Sequence, residues 1–299
     1  MEKNFNGIKF AVLGGDKRQA VIANELINSR ADVRTFALGD NKSAIRGAEH
    51  CLSVEKAIEG CDVVVLPLPV TRDNTHLAAQ NVKVPLLEIV KLTAKSKALI
   101  LGGMIPVETL RQCEALGIEA HDYYKNESLQ RKNARPSAEG ALMIAMEHTD
   151  ITVKGMKALV TGYGRIGSIL TDMLDKLGAD VTVGARRDET LCELSLMGYK
   201  AIRLCGDSIE LIEAVNNCDV IFNTVPSVIL TEKVLNKVKN KPLYIEIASS
   251  PGGIDLTAAR DVGLETIFAP SLPGKYSPIS AGKYVFETIC EILIERRKI

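Results

Sequence analysis

A chain of 299 residues has room for two domains of ordinary size, and its 46% apolar and 25% charged content is that of a soluble globular protein. The 37 basic residues balance 37 acidic ones, which argues against a general nucleic-acid or anionic-membrane surface, and with no Trp and 4% aromatics there is little to stack single-stranded bases. The chain shows no apolar run of about 18 residues, and Met1-Glu2-Lys3-Asn4 lacks the n-region and h-region of a secretory signal, so a cytoplasmic protein without a membrane span is expected.

Apolar runs alternate with helical periodicity along the whole chain. The first half reads as strand 8–13, helix 18–28, strand 32–37, a short helix at 54–59, strand 62–67, strand 85–89, strand 98–101, helix 106–116 and strand 118–120. A polar segment, 125–135, follows, and Pro136 opens an apolar helix to about Glu147, at a helix start where its missing N–H costs nothing. The second half reads as strand 157–161, helix 165–177, strand 180–184, helix 188–197, strand 200–202, helix 207–215, strand 219–223, helix 231–237, strand 243–246, helix 255–261 and strand 264–267. In the last segment Val285, Ile289, Ile292 and Leu293 share one helical face. The alternation predicts an α/β protein of doubly wound parallel sheets. Two Rossmann-like domains with an interdomain cleft are expected. The first spans 1–135, with the terminal helix 282–299 packing back on it; the second spans 136–281 and includes the linker helix.

The halves read as a degenerate duplication. Gly14 aligns with Gly162, and Ala31-Asp32-Val33 with Ala179-Asp180-Val181, at an offset of 148 (14 to 162). Cys61-Asp62-Val63 aligns with Cys218-Asp219-Val220, and Pro69 with Pro226, at an offset of 157 (61 to 218). Four matches in order, with one shift, are rare by chance.

The second half carries the chemistry-bearing turn. Val160-Thr161-Gly162-Tyr163-Gly164-Arg165-Ile166-Gly167 joins a strand to a helix. Gly162 permits the turn, Gly164 lets a pyrophosphate approach the backbone, and Gly167 allows close helix–strand packing, so the phosphates would sit on helix N-terminal N–H groups. The next strand ends Gly184-Ala185-Arg186-Arg187, with no carboxylate at its tip. Arg186 and Arg187 suit a 2′-phosphate, which favours NADP over NAD; the alternative makes them solvated charges and Asp188 the ribose ligand. Thr224, Val225 and Pro226, after Asn223, are placed against the nicotinamide ribose, and Ala248 to Gly253 at the nicotinamide end. In the first half, Asp16 and Gln19 stand at two of the glycine positions, so that half keeps the fold but not the dinucleotide. Its loop either holds a small charged substrate or is a solvated turn. Seven Cys without CxxC spacing and four scattered His (His50, His76, His121, His148) give reduced thiols and no metal site.

These residues resemble a known family. Val153-Lys154-Gly155 and the glycine turn resemble the cofactor domain of the formate/glycerate dehydrogenase and adenosylhomocysteinase group. A closer resemblance, over essentially the whole chain, is to the dipicolinate synthase A-subunit family. Phe10 to Arg18, Arg135-Pro136-Ser137-Ala138-Glu139-Gly140 and Leu272-Pro273-Gly274-Lys275-Tyr276-Ser277-Pro278 carry it. The resemblance implies an enzyme of the mother cell of a sporulating bacterium, on a branch of the lysine pathway. Its product is pyridine-2,6-dicarboxylate, its oxidant NADP, and its partner the flavoprotein-like B-subunit of dipicolinate synthase, in a heteromer.

A dicarboxylate substrate calls for Arg, Lys and hydroxyls on loops at strand carboxyl ends. Candidates are Arg18, Thr71, Arg72, Ser137 at the linker helix start, Lys275 and Ser277; each alone is more often an ordinary surface residue. His121 and Glu139 are the candidate acid/base pair. Two other readings stand beside this one: an NADP-dependent oxidoreductase acting on another small carboxylate, and a non-catalytic NADP-sensing subunit. A hydroxyacid dehydrogenase is disfavoured, because no His follows His148 to build its late His–carboxylate dyad.

Overall fold

The computed structural model describes residues 4–296. In chain order the first half comprises β1 (Lys9–Leu13), α1 (Lys17–Asn28), β2 (Asp32–Phe36), β3 (Glu49–His50), α2 (Val54–Ile58), β4 (Val63–Val65), α3 (Leu86–Ser96), β5 (Leu99–Gly102), α4 (Val107–Ala115), β6 (Ala120–Asp122) and α5 (Glu127–His148). The second half comprises β7 (Lys157–Thr161), α6 (Arg165–Lys176), β8 (Asp180–Ala185), α7 (Asp188–Leu196), β9 (Lys200–Arg203), α8 (Ile209–Asn216), β10 (Val220–Asn223), α9 (Glu232–Leu235), β11 (Leu243–Glu246), α10 (Leu256–Asp261), β12 (Thr266–Phe268), α11 (Leu272–Tyr276) and α12 (Pro278–Glu295).

The strands form two six-stranded sheets of one topology, β3-β2-β1-β4-β5-β6 and β9-β8-β7-β10-β11-β12. Every neighbouring pair is parallel. The central strands are short apolar runs such as Val63-Val64-Val65, buried because helices cover both faces. The order, with its reversal at the first strand, is that of doubly wound dinucleotide-binding folds.

The duplication extends to individual hydrogen bonds. Asp62 Oδ2 accepts from the Lys9 backbone N–H at 2.8 Å, and Asp219 Oδ2 accepts from that of Lys157 at 2.8 Å. Each aspartate thereby clamps the start of the first strand of its sheet. The neighbouring thiols match too: Cys61 donates to Ala57 O and Cys218 to Val215 O.

The chain divides into two compact units. One holds the described residues up to Asn133 and those from Ser277 onward; the other is 134–276. α12 returns to the first unit, where Val285, Phe286, Ile289 and Leu293 pack with Phe5, Phe10 and Leu26. Residues 297–299 of the expected terminal helix lie outside the described residues.

Three expectations need correction. The run 85–89 is not a strand but the start of α3, whose buried residues Leu86, Ile89, Val90 and Thr93 recur at helical spacing. Pro136 does not open the linker helix. α5 begins at Glu127, capped by Asn126 Oδ1 on the Leu129 N–H (3.0 Å), and Pro136 lies inside it. The helix is buried on both sides of Pro136: Leu129 packs in one core cluster, and Ala138, Ala141, Leu142 and Ala145 pack in another. Ser137 is consequently mid-helix and buried, not at a helix start.

Gly282 sets the approach of α12 to α1. A Cβ there would lie 2.7 Å from Val21 Cβ and 3.0 Å from the Arg18 carbonyl oxygen. Gly282→Ala should therefore lower stability by about 1–3 kcal/mol, read by urea denaturation, because neither neighbour is a flexible side-chain end. An unchanged midpoint would mean that the two helices are not in close contact.

Candidate functional site

The second unit builds a cleft around the turn between β7 and α6. Gly162 has φ +96°, and a Cβ on it would lie 2.5 Å from Thr224 Oγ1. A Cβ on Gly167 would fall 2.0 Å from the Gly162 carbonyl oxygen, so only glycine lets the first turn of α6 approach β7 this closely. Gly164 is different: nothing lies within 4 Å of an added Cβ. It heads a 12-residue helix with no side-chain cap, leaving open space over N-terminal N–H groups. Tyr163, half-buried, points its hydroxyl at Met197 Sδ (3.6 Å), while Arg165 is exposed and Ile166 half-buried behind it. The cleft continues past Ala185, Arg186, Arg187, Thr190 and Leu204 on one side and Thr224, Val225 and Pro226 on the other, enclosing about 290 Å³. These features fit a dinucleotide, with its pyrophosphate over Gly164.

At the β8 end of this cleft, Arg186 and Arg187 are both exposed, and among the described residues neither guanidinium has a hydrogen-bond or ion-pair partner. Asp188, the alternative ribose ligand, is ion-paired with Arg203 Nη2 at the end of β9. Arg203 Nη1 also donates to the Arg186 carbonyl oxygen at 3.2 Å. In the sequence Arg203 is signalled only as a basic residue at the tip of the strand beside β8.

Beneath the Thr224–Pro226 loop lies a buried polar network that was also missed. Glu246, 3% exposed, accepts from Asn223 Nδ2 (2.6 Å), Tyr244 OH (2.8 Å), Ala248 N–H (3.1 Å) and Gly253 N–H (2.7 Å). Thr161 Oγ1 donates to Asn223 Oδ1 (2.6 Å), and the Thr224 hydroxyl to the Thr161 carbonyl (2.9 Å). Burial, reinforced by the Glu246 charge, pushes the Tyr244 phenol up, so it remains a donor. The signal was a single carboxylate ending an apolar strand.

In the first unit the equivalent turn is filled. Gln19 Nε2 donates to Leu13 O (3.1 Å) and Val65 O (3.3 Å) from the position that Gly167 holds in the other half. Asp16 caps α1 through the Arg18 N–H (3.0 Å), and Arg18 grips the same carboxylate through Nε (2.9 Å) and Nη2 (2.7 Å). Arg18 is 5% exposed; its Nη2 also donates to Leu68 O, and Nη1 has no partner among the described residues. Burial pushes the Asp16 carboxyl up, but the hydrogen bonds and charge of Arg18, with the Arg72 charge behind them, outweigh it and hold it below the ordinary value.

The loop after β4 lies against this turn, with Gly15 N–H bonded to Ala78 O at 2.7 Å. It carries Thr71, buried, and Arg72, exposed. Thr71 Oγ1 donates to Asp73 Oδ1 (3.1 Å), and Asp73 Oδ2 holds His76 Nδ1 at 2.8 Å. The His76 and Thr75 backbone N–H groups, then the imidazole, hold the Asp73 carboxyl far below the usual range. This Asp–His pair went unnoticed because its spacing resembles an ordinary turn.

The remaining candidates have these surroundings. His121 on β6 faces Glu119 (3.6 Å), which also pairs with Arg296. Glu139 is exposed on α5 and pairs with Arg135 at 3.7 Å. Lys275 is exposed on α11, its Nζ 4.7 Å from the Tyr276 ring centroid. Ser277 precedes α12 and makes no side-chain cap. Among the described residues no group of three or more His, Cys, Asp and Glu could hold a metal ion, and no helix is long and apolar enough to cross a membrane.

Comparison with known proteins adds a family. The model for the N-terminal domain of the dipicolinate synthase A-subunit matches residues 9–124. The dipicolinate synthase A-subunit of Bacillus subtilis (strain 168) is 30% identical over 291 residues, 97% of this chain and 97% of that protein. The crystal structure of the dipicolinate synthase A chain from Bacillus subtilis superposes with a TM-score of 0.84 at 28% identity, covering 100% of this chain and 99% of that one. The corresponding protein of Bacillus halodurans gives 0.85 at 24% identity, over 97% and 99%.

The second and third glycines of the turn should respond differently to substitution. Gly167→Ala should cost about 3 kcal/mol, since its Cβ meets backbone. Gly164→Ser should stay within about 0.5 kcal/mol, since it adds a capping hydroxyl into open space. Thermal denaturation of both variants checks this; equal effects would contradict the geometry.

Proposed function

The chain belongs to the dipicolinate synthase A-subunit family, and from that premise we propose that it oxidises a dihydrodipicolinate-type intermediate to pyridine-2,6-dicarboxylate, with NADP as hydride acceptor. The observation that carries this reading is the cleft of the second unit, lined by an open helix N-terminus at Gly164 without a side-chain cap and by two arginines that have no side-chain partner among the described residues. The Gly162–Gly167 turn holds the pyrophosphate on backbone N–H groups. Arg186 and Arg187 clamp the 2′-phosphate, and Thr224 to Pro226 lie along the nicotinamide ribose. A nicotinamide held there would supply the hydride acceptor.

The substrate leaves one hydride and one proton behind and becomes aromatic, so no strong base is needed. Within the first unit, the strand-end loops carry groups suited to carboxylates. Arg18 offers Nη1 from a guanidinium already fixed on Asp16 and Leu68 O, and Arg72 adds a second cation on the adjoining loop. The Thr71 hydroxyl lies on the same loop. His76, with Nδ1 fixed by Asp73, presents Nε2 as proton acceptor. It fits that role better than His121 or Glu139, whose partners are a sheet-edge carboxylate and a helix-surface arginine. In this reading the protein works in the mother cell during sporulation, in a heteromer with a flavoprotein-like second subunit.

Two experiments test the reading. Calorimetric titration should give tighter binding of NADP than NAD, and Arg186→Ala with Arg187→Ala should remove about 1–3 kcal/mol of that preference. Tighter NAD binding by the unaltered chain would sink the cofactor assignment. In steady-state turnover of freshly made dihydrodipicolinate, with the second subunit present, Arg72→Ala should raise KM about tenfold. His76→Asn should lower kcat about 100-fold. Both should leave the NADP dissociation constant unchanged, and turnover unaffected in both variants would remove this loop from the site.

A further inference from the structure

We propose that Arg203 enables the Arg186–Arg187 clamp to select the cofactor, by neutralising Asp188; this rests on the NADP reading above. Asp188 is the first residue of α7, immediately after the two cleft arginines. An acidic side chain at the tip of the second strand is what an NAD site uses to accept the ribose 2′-hydroxyl, and it repels a 2′-phosphate. The chain therefore carries the NAD-type group within one residue of its phosphate-binding arginines, and the two would work against each other.

Arg203 resolves the conflict in two ways. Its Nη2 is paired with Asp188 Oδ1, which takes up the carboxylate's charge and one of its acceptor sites. Its Nη1 donates to the Arg186 carbonyl oxygen at 3.2 Å, which fixes the backbone from which the Arg186 and Arg187 side chains spring. The ladder between β8 and β9 delivers it there: Ala185 pairs with Arg203, and Leu204 N–H bonds Ala185 O at 2.8 Å. One guanidinium thus silences the competing carboxylate and braces the clamp. As an exposed ion pair the contact adds little to stability, so its consequence lies in ligand choice.

The test is equilibrium binding of NADP and NAD to purified protein, with no turnover required. Arg203→Ala should weaken NADP about tenfold or more while leaving NAD unchanged or tighter, because an unpaired Asp188 repels the dianion and can accept from a ribose hydroxyl. Retained NAD binding shows in the same measurement that the variant is folded. Adding Asp188→Asn to Arg203→Ala should recover most of the lost NADP affinity. If the double variant stays as weak as the single one, Arg203 acts as a direct phosphate ligand and the neutralisation mechanism is wrong. An unchanged NADP-to-NAD ratio in Arg203→Ala overturns the proposal outright, whereas an unaltered chain that prefers NAD overturns the NADP reading beneath it.

Discussion

How closely a helix can approach the strand that precedes it decides what each half of this protein can do. In the second half, Gly167 sits where a Cβ would be 2.0 Å from the Gly162 carbonyl oxygen. With no side chain between them, α6 starts low against β7, and its N-terminal N–H groups open into the cleft at Gly164. In the first half, Gln19 holds the equivalent place. Its amide bonds the ends of β1 and β4, and Asp16 caps α1 from the place where a phosphate would sit. The first turn is thus closed by side chains that satisfy the groups a ligand would otherwise satisfy. A carboxylate fixed at this helix start also repels any pyrophosphate.

The scaffold beneath these turns did not diverge in the same way. Both sheets keep the same strand order, and in both an aspartate before the fourth strand clamps the backbone N–H that begins the central strand. A bond from one carboxylate to one backbone donor depends on strand register alone, so it is indifferent to what the turn binds. Changes at the carboxyl ends of the strands alter the ligand without disturbing the register. This separation lets one half turn its strand ends toward an anchored Arg18 while the other keeps an open phosphate turn.

The sequence was most legible where one residue type answers to one geometry. The glycine turn and the repeated Cys-Asp-Val triplets stand where their geometry requires, and the two arginines after β8 line the same cleft as that turn. It was least legible where a pattern admits two periods. Pro85-Leu86-Leu87-Glu88-Ile89 is short and apolar enough for a buried strand; only Val90 and Thr93 beyond it complete the helical face of α3. Pro136 reads as a helix start because 125–135 is polar, yet Leu129, Asn133 and Ala134 are already buried on α5 ahead of it. Arg203, Asp73 with His76, and Glu246 act through partners on other strands or across a turn, and composition gives no sign of such pairings.

Glu246 shows how much a cross-strand partner can explain. A buried carboxylate is costly unless its oxygens are fully bonded. Here four donors converge on it, from β10, from β11 itself and from the loop after β11. Satisfying the charge forces that loop to wrap back over the strand end. It can do so only because a Cβ is missing where one would lie 2.3 Å from Asn223 Nδ2 at Gly253 and 2.8 Å from Glu246 Oε2 at Gly252. The Gly252-Gly253 pair is therefore no second phosphate turn. It exists to let backbone N–H groups reach a buried anion. Through Asn223, which also bonds Val225 O at 2.9 Å and receives Thr161 Oγ1, the same anion fixes the Thr224–Pro226 loop against the glycine turn. One carboxylate thereby ties together the ends of β7, β10 and β11, the first two of which lead into loops that line the cleft, and its cost is met by positioning those loops.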